Sequence, residues 1–126
     1  PPTIPLVGKI AAGLPIEAIE DQQELNLAEM FMGPELFALR VTGDSMIDVG
    51  ILDEDYVIIR KQPDARDGDI VVAMIDKTEA TLKRFKRKGA DQIALIPENQ
   101  DMEPMIYAAE RVSIHGILVG QLRNYR

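Results

Sequence analysis

The sequence predicts a mostly β fold: a single compact, antiparallel, β-rich domain with little helix. Three observations carry that expectation. Short apolar runs recur along the chain, at residues 36–41, 56–60, 70–75 and 93–96 among others. Glycine, proline and aspartate clusters separate them, as turns between strands require. Only one stretch, residues 25–32, carries helix start and stop signals.

The chain has 126 residues, which fits one domain, and 46% of them are hydrophobic. There is no Trp and there are only six aromatics, so aliphatic packing dominates the expected core. Cysteine is absent. That excludes disulfides, thiol catalysis and thiolate metal sites, and it fits a reducing compartment. The net charge is −7. A domain this acidic repels the phosphate backbone, so this piece is not expected to hold DNA by itself. No apolar run approaches the ~20 residues that span a bilayer, and the N-terminus lacks a charged-then-apolar signal pattern. The start at Pro1, without methionine, is expected of a processed protein or an excised domain.

Residues 1–5 read as a proline-stiffened residual linker, and residues 6–10 alternate as a short strand. Ala11-Ala12-Gly13-Leu14-Pro15 is a run of small residues ending in proline. It reads as a surface turn, or as a protease-sensitive loop with a small residue on its acyl side. Residues 16–23 are acidic and weakly patterned, an expected exposed connector. Residues 25–32 predict a short helix capped by Asn26 and stopped by Gly33-Pro34, with Met30, Phe31 and Met32 as core filler.

The strand at 36–41 runs into Thr42-Gly43-Asp44-Ser45-Met46. A serine at a strand-to-turn corner has two readings. It caps the short helix that follows, or its exposed hydroxyl is a nucleophile beside backbone N–H groups that bind an oxyanion. Gly-Asp-Ser-Met alone favours the cap. Asp53-Glu54-Asp55 has no regular ligand spacing and no neighbouring histidine, so it reads as a solvated turn, and no metal is expected. Strands follow at 56–60 and at 70–75, the latter apolar enough to be buried on both faces. In the strand at 80–85, alternation puts Leu82 and Arg84 on one face and Thr81, Lys83 and Phe85 on the other. Residues 86–89 form an expected basic, solvated turn. Residues 93–96 are a strand ended by Pro97, residues 98–104 a polar loop, and residues 112–122 a long last strand with Gly116 and Gly120 at bends or bulges.

One histidine, His115, makes a Ser-His-Asp triad improbable, and it is read as structural. A serine with a lysine base is the alternative solution. Lysine titrates near 10.4, so lowering it to ~7–8 requires about 3–4 kcal/mol of differential destabilisation of the ammonium. Burial on an apolar strand face supplies that. Lys83 lies among Val, Ile and Leu runs, whereas Lys77, Lys86 and Lys88 fall in polar turns.

Taken in order, seven segments resemble the C-terminal domain of the LexA family of SOS repressors, an S24-type peptidase. They are Val7-Gly8-Lys9-Ile10-Ala11-Ala12-Gly13, Val41-Thr42-Gly43-Asp44-Ser45-Met46, Asp48-Val49-Gly50-Ile51, Asp67-Gly68-Asp69-Ile70-Val71-Val72-Ala73, Thr81-Leu82-Lys83-Arg84, Leu95-Ile96-Pro97-Glu98-Asn99 and Ile117-Leu118-Val119-Gly120. The resemblance spans nearly the whole chain. It implies a self-cleaving serine protease with a Ser-Lys dyad and the signal-peptidase-like fold, needing no cofactor. Ser45 matches the nucleophile, Lys83 the general base, and Ala12-Gly13 the scissile bond. The N–H groups of Asp44 and Ser45 match the oxyanion site, and Thr81 matches a residue that orients Lys83. The implied organisation is a linker at 1–5 and a self-cleaving, dimerising domain at 6–126. The winged helix-turn-helix that binds operator DNA is absent from this chain. Implied partners are a second copy, through the last strand, and a RecA filament on single-stranded DNA. The implied location is the cytoplasm, with no membrane attachment. UmuD-type and phage-repressor relatives are alternatives, as is a catalytically silent dimerisation module. UmuD-type proteins typically carry Cys-Gly at the cleaved bond, where this chain has Ala12-Gly13.

Overall fold

A computed structural model describes residues 2–13 and 17–126, with the side chains of 17–22 outside the description. The chain divides into two units, Pro1–Gly33 and Pro34–Arg126. In the first, β1 (Ile4–Lys9) pairs antiparallel with β2 (Glu17–Leu25), with a register shift between Leu6 and Gly8. Backbone pairing organises residues 17–23, where the sequence predicts a connector. An acidic composition sets solvent exposure, and hydrogen-bond partners set whether a segment is a strand. A one-turn helix α1 (Leu27–Met30) follows, and Asn26 Oδ1 accepts the Glu29 N–H at 3.0 Å as the expected cap. Met30 and Met32 are not core filler: they are 59% and 69% exposed.

The second unit is a seven-stranded antiparallel sheet. Its strands are β3 (Leu36–Arg40), β4 (Tyr56–Lys61), β5 (Ile70–Ile75), β6 (Glu79–Lys88), β7 (Gln92–Ile96), β8 (Met105–Ala108) and β9 (Val112–Leu122). Their spatial order is β3-β4-β9-β5-β6-β7-β8. The β-rich, antiparallel class is as the sequence predicts. β8 is an addition. Pro104 before it and a length of four residues weaken its sequence signal.

β5 is buried on both faces, and alternation divides its side chains between two apolar clusters. Val71, Ala73 and Ile75 join Phe85, Ile93 and Leu95 in one. Val72 joins Met46, Ile51, Val57 and Ile59 in the other. β9 lies between β4 and β5 and is bulged against both. A Cβ at Gly116 would fall 2.5 Å from both the Arg60 carbonyl oxygen and Ile59 Cγ2, so only glycine allows β9 to pass β4 this closely. His115 is exposed, one residue before that crossing.

The Asp53-Glu54-Asp55 turn is not wholly solvated. Asp55 is 2% exposed and takes a two-pronged ion pair from Arg123, both contacts 2.7 Å, and the Leu52 N–H at 2.8 Å. The Arg123 hydrogen bonds, then the Leu52 N–H, hold its carboxyl down at about 2. Sequence proximity concealed that Asp53 and Asp55 diverge to different partners, Asp53 to the Gly43 N–H and Asp55 to Arg123.

Candidate active site

β3 ends at Arg40, and the chain then turns a corner fixed from two sides. The Val41 N–H donates to the Asp55 carbonyl and the Glu54 N–H to the Val41 carbonyl, both at 2.8 Å. Gly43 has φ +92°, a left-handed conformation that glycine adopts without strain, and its N–H donates to Asp53 Oδ1 at 2.7 Å. Below the corner, Met46 and Ile51 are each 1% exposed, packed with Val57, Ile59 and Val72. Met46 and Ile51 are therefore the anchor, and Ser45 between anchor and turn is held half-buried.

Ser45 is not a helix cap. The residue capping the following 3-10 turn (Ile47–Val49) is Met46, which makes no side-chain capping bond. The Ser45 hydroxyl instead accepts from Lys83 Nζ at 3.3 Å, across 38 residues of sequence. Lys83 sits in β6, opposite Val71, and Thr81 opposite Ala73. Two residues apart on a strand, the two side chains share a face, and Lys83 Nζ donates to Thr81 Oγ1 at 2.5 Å.

The pair lies in a cleft of about 310 Å³ lined by Leu39, Val41, Met46, Val57, Val72, Ala80 and Leu82, together with Arg40 and Thr42. Burial in these apolar walls pushes Lys83 below the usual lysine range, and the Glu79 carboxylate opposes that shift. Lys77, Lys86 and Lys88 are exposed. Lowered basicity and contact with a hydroxyl thus meet at one lysine. A neutral amine there accepts a proton from Ser45. The 3.3 Å separation is at the long end of a hydrogen bond and of proton-transfer reach.

Among the described residues, no protein group accepts the N–H of Asp44 or of Ser45. These two donors remain available to an anionic oxygen beside the hydroxyl. Ala12 and Gly13 are in the first unit, in an exposed turn after β1, with Gly13 at φ +78°. Leu14 and Pro15, the rest of that loop, lie outside the described residues.

A family model for Peptidase S24-like proteins matches residues 5–119. The chain belongs to the S24-like peptidase family. The S24 match takes in Ala12-Gly13, Ser45, Thr81 and Lys83 together. The chain is also similar to proteins named LexA repressor: 51% identical over 123 residues in Zymomonas mobilis, covering 97% of this chain and 56% of that protein. In Bartonella quintana the identity is 48% over 125 residues, covering 98% and 52%. In Bacillus pumilus it is 49% over 124 residues, covering 96% and 59%. The chain thus spans about half the length of these curated relatives. No helix among the described residues is long and apolar enough to cross a membrane.

In the sequence, residues 98–104 read as a polar loop and Glu98-Asn99 end one of the family-like segments, with no role at the site assigned to them; in the structure this loop after β7 braces the S24 corner. The Asp48 N–H donates to the Glu98 carbonyl at 2.8 Å, the Gln100 N–H to Asp48 Oδ2 at 2.9 Å, and Asn99 Nδ2 to the Asp44 carbonyl at 2.9 Å. The Glu98 N–H rests on Met46 Sδ at 3.4 Å. Pro97 marks the loop in the sequence, yet nothing local marks its partner 50 residues away.

Proposed function

We propose that this chain is the self-cleaving domain of a LexA-type repressor, a serine endopeptidase whose substrate is its own Ala12-Gly13 bond. The observation that carries the reading is the contact between Lys83 Nζ and Ser45 Oγ inside an apolar cleft that lowers the lysine's basicity. Membership of a peptidase family and the LexA relatives agree with it.

Neutral Lys83 removes the Ser45 proton as Oγ attacks the Ala12 carbonyl carbon. The carbonyl oxygen becomes an oxyanion, bound by the N–H groups of Asp44 and Ser45. Collapse breaks the bond to the Gly13 nitrogen, which takes its proton from the Lys83 ammonium. Ala12 is then esterified to Ser45. A water molecule, deprotonated by Lys83, hydrolyses the ester and restores the serine. Thr81 accepts a hydrogen bond from Nζ and orients it toward Ser45. The reaction needs the Ala12 carbonyl within about 3–3.5 Å of the hydroxyl, and covalent tethering supplies a high effective concentration for that approach.

In the whole protein, an N-terminal winged helix-turn-helix carries operator binding, and two copies pair through β9. A RecA filament on single-stranded DNA stimulates cleavage by favouring the reactive form. Cleavage parts the DNA-binding half from its dimeriser and relieves repression of DNA-damage genes in the cytoplasm.

The test is incubation of the purified chain from pH 6 to 10, with mass spectrometry of the products. The expected result is a fragment ending at Ala12 and a complement starting at Gly13, at a rate that rises with pH and then levels. Ser45→Ala and Lys83→Ala should stay intact. A parent that remains whole at alkaline pH and with RecA filaments would instead make the domain a silent dimerisation module.

A further inference from the structure

Among the described residues only two polar side chains are buried, Asp55 and Asn99. Arg123 accounts for the first. Asn99, 7% exposed, has no part in the reaction scheme above. Its Oδ1 accepts the Asp101 N–H at 2.9 Å. A backbone N–H can only donate, so that bond fixes the amide's orientation and leaves Nδ2 as the donor to the Asp44 carbonyl.

The Asp44 carbonyl and the Ser45 N–H belong to one planar peptide. In a trans peptide they point in opposite directions. A group that holds the carbonyl therefore aims the N–H. The carbonyl's other partner is the Ile47 N–H at 3.4 Å, a longer contact. This peptide turns about Asp44 ψ and Ser45 φ, and Gly43, one residue upstream at φ +92°, has the freedom to absorb the compensating change in the chain. Rotation would turn the Ser45 N–H away from the space beside its own hydroxyl. The 98–101 loop is itself tied to Asp48 by two bonds, so the amide of Asn99 is held on a rigid base.

We propose that Asn99 is a positioning residue for the cleavage reaction: by holding the Asp44 carbonyl it aims the Ser45 N–H at the oxyanion. The inference rests on the self-cleavage reading. Its role is indirect, because Asn99 touches neither Ser45 Oγ nor Lys83 Nζ through any hydrogen bond among the described residues. Deleting an oxyanion donor outright costs about 10²–10³ in rate, so letting one rotate should cost on the order of 10- to 100-fold.

The experiment begins with the parent chain and Ser45→Ala across pH 6–10. Cleavage at Ala12-Gly13 by the parent alone upholds the self-cleavage reading, and a parent that does not cleave removes that reading and this inference together. With an active parent, Asn99→Ala and Asn99→Asp isolate the inference. The aspartate keeps the acceptor for the Asp101 N–H and loses the donor to Asp44. Both variants should show a plateau rate lower by on the order of 10- to 100-fold, and Asn99→Ala, which adds no charge, should leave the midpoint of the pH profile unmoved. A second readout is phosphonylation of Ser45 by a small fluorophosphonate, normalised to folded protein by circular dichroism. Its phosphoryl oxygen needs the same N–H, so the reaction should slow by a similar factor. If Asn99→Ala fails to fold, Asn99→Asp decides. Cleavage by Asn99→Asp within about threefold of the parent overturns the proposal, because a purely structural amide is satisfied by the retained acceptor bond. A shifted midpoint in Asn99→Ala, which adds no charge, also overturns it, since the loss would then lie in Lys83.

Discussion

Replacing Met46 by alanine tests whether the nucleophile is held from beneath. Met46 is 1% exposed and packs against Ile51, Val57, Ile59 and Val72. Met46→Ala removes three heavy atoms from this cluster and leaves a cavity where the corner rests. Buried Met-to-Ala changes cost about 2–5 kcal/mol, and ~3 is the fitting value because the lost sulfur contact to the Glu98 N–H is weak. For a unit the size of Pro34–Arg126, that corresponds to a fall of roughly 12–24 °C in melting midpoint. Thermal melts by circular dichroism measure it. Cleavage is then timed at a temperature well below the variant's midpoint, so that folded protein alone reacts. The corner's loss of support should slow the rate by about 10- to 100-fold there, because small misplacements of reacting groups carry penalties of that size. Met46→Leu keeps the volume, costs under ~1.5 kcal/mol and should restore most of the rate. A Met46→Ala chain that melts within about 2 °C of the parent, or cleaves normally while folded, would refute the argument that burial of this side chain sets the serine's position.

Two further perturbations probe charge. Glu79 favours the charged form of Lys83, so Glu79→Gln should let the neutral amine form at lower pH. Cleavage then becomes faster at neutral pH with an unchanged alkaline plateau, as a pH–rate profile will show; a shift to higher pH contradicts the assignment. Asp55 titrates at about 2 in the folded chain, below its unfolded value. Its contribution to stability is therefore complete above the ordinary aspartate range near 3.8 and is lost as pH falls through about 2. Asp55→Asn should lower the melting midpoint at pH 7 and narrow its gap to the parent below pH ~3, and an equal deficit at every pH would contradict the linkage.

Much of the sheet was legible because its strands obey local rules. β5 reads as continuous apolar sequence since both of its faces are buried, and β9 reads as long because its glycines permit bulges without ending it. β2 was not legible: its residues are acidic, and its strand character comes from pairing with β1. Lys83 stood out because it is a lysine within an apolar context. Asn99 and Asp55 did not, because a polar residue in a loop looks the same whether its partner is water or a carbonyl 55 residues away. Burial of polar groups is a property of the partner, and the partner is chosen by topology.

The two halves of the candidate site share one physical cause. Val57 and Val72 are in the cluster that buries Met46, with Val41 and Leu82 packed against it, and the same four side chains wall the cleft around Lys83. The apolar surface that fixes the serine is thus the surface that desolvates the lysine. A polar substitution in it, such as Val72→Thr, acts on both: it loosens the corner's footing and returns solvation to the ammonium. Position and protonation are coupled here through packing, so activity is expected to track the integrity of this cluster more closely than it tracks the stability of the sheet, most of whose other core is the separate cluster around Phe85 and Leu95.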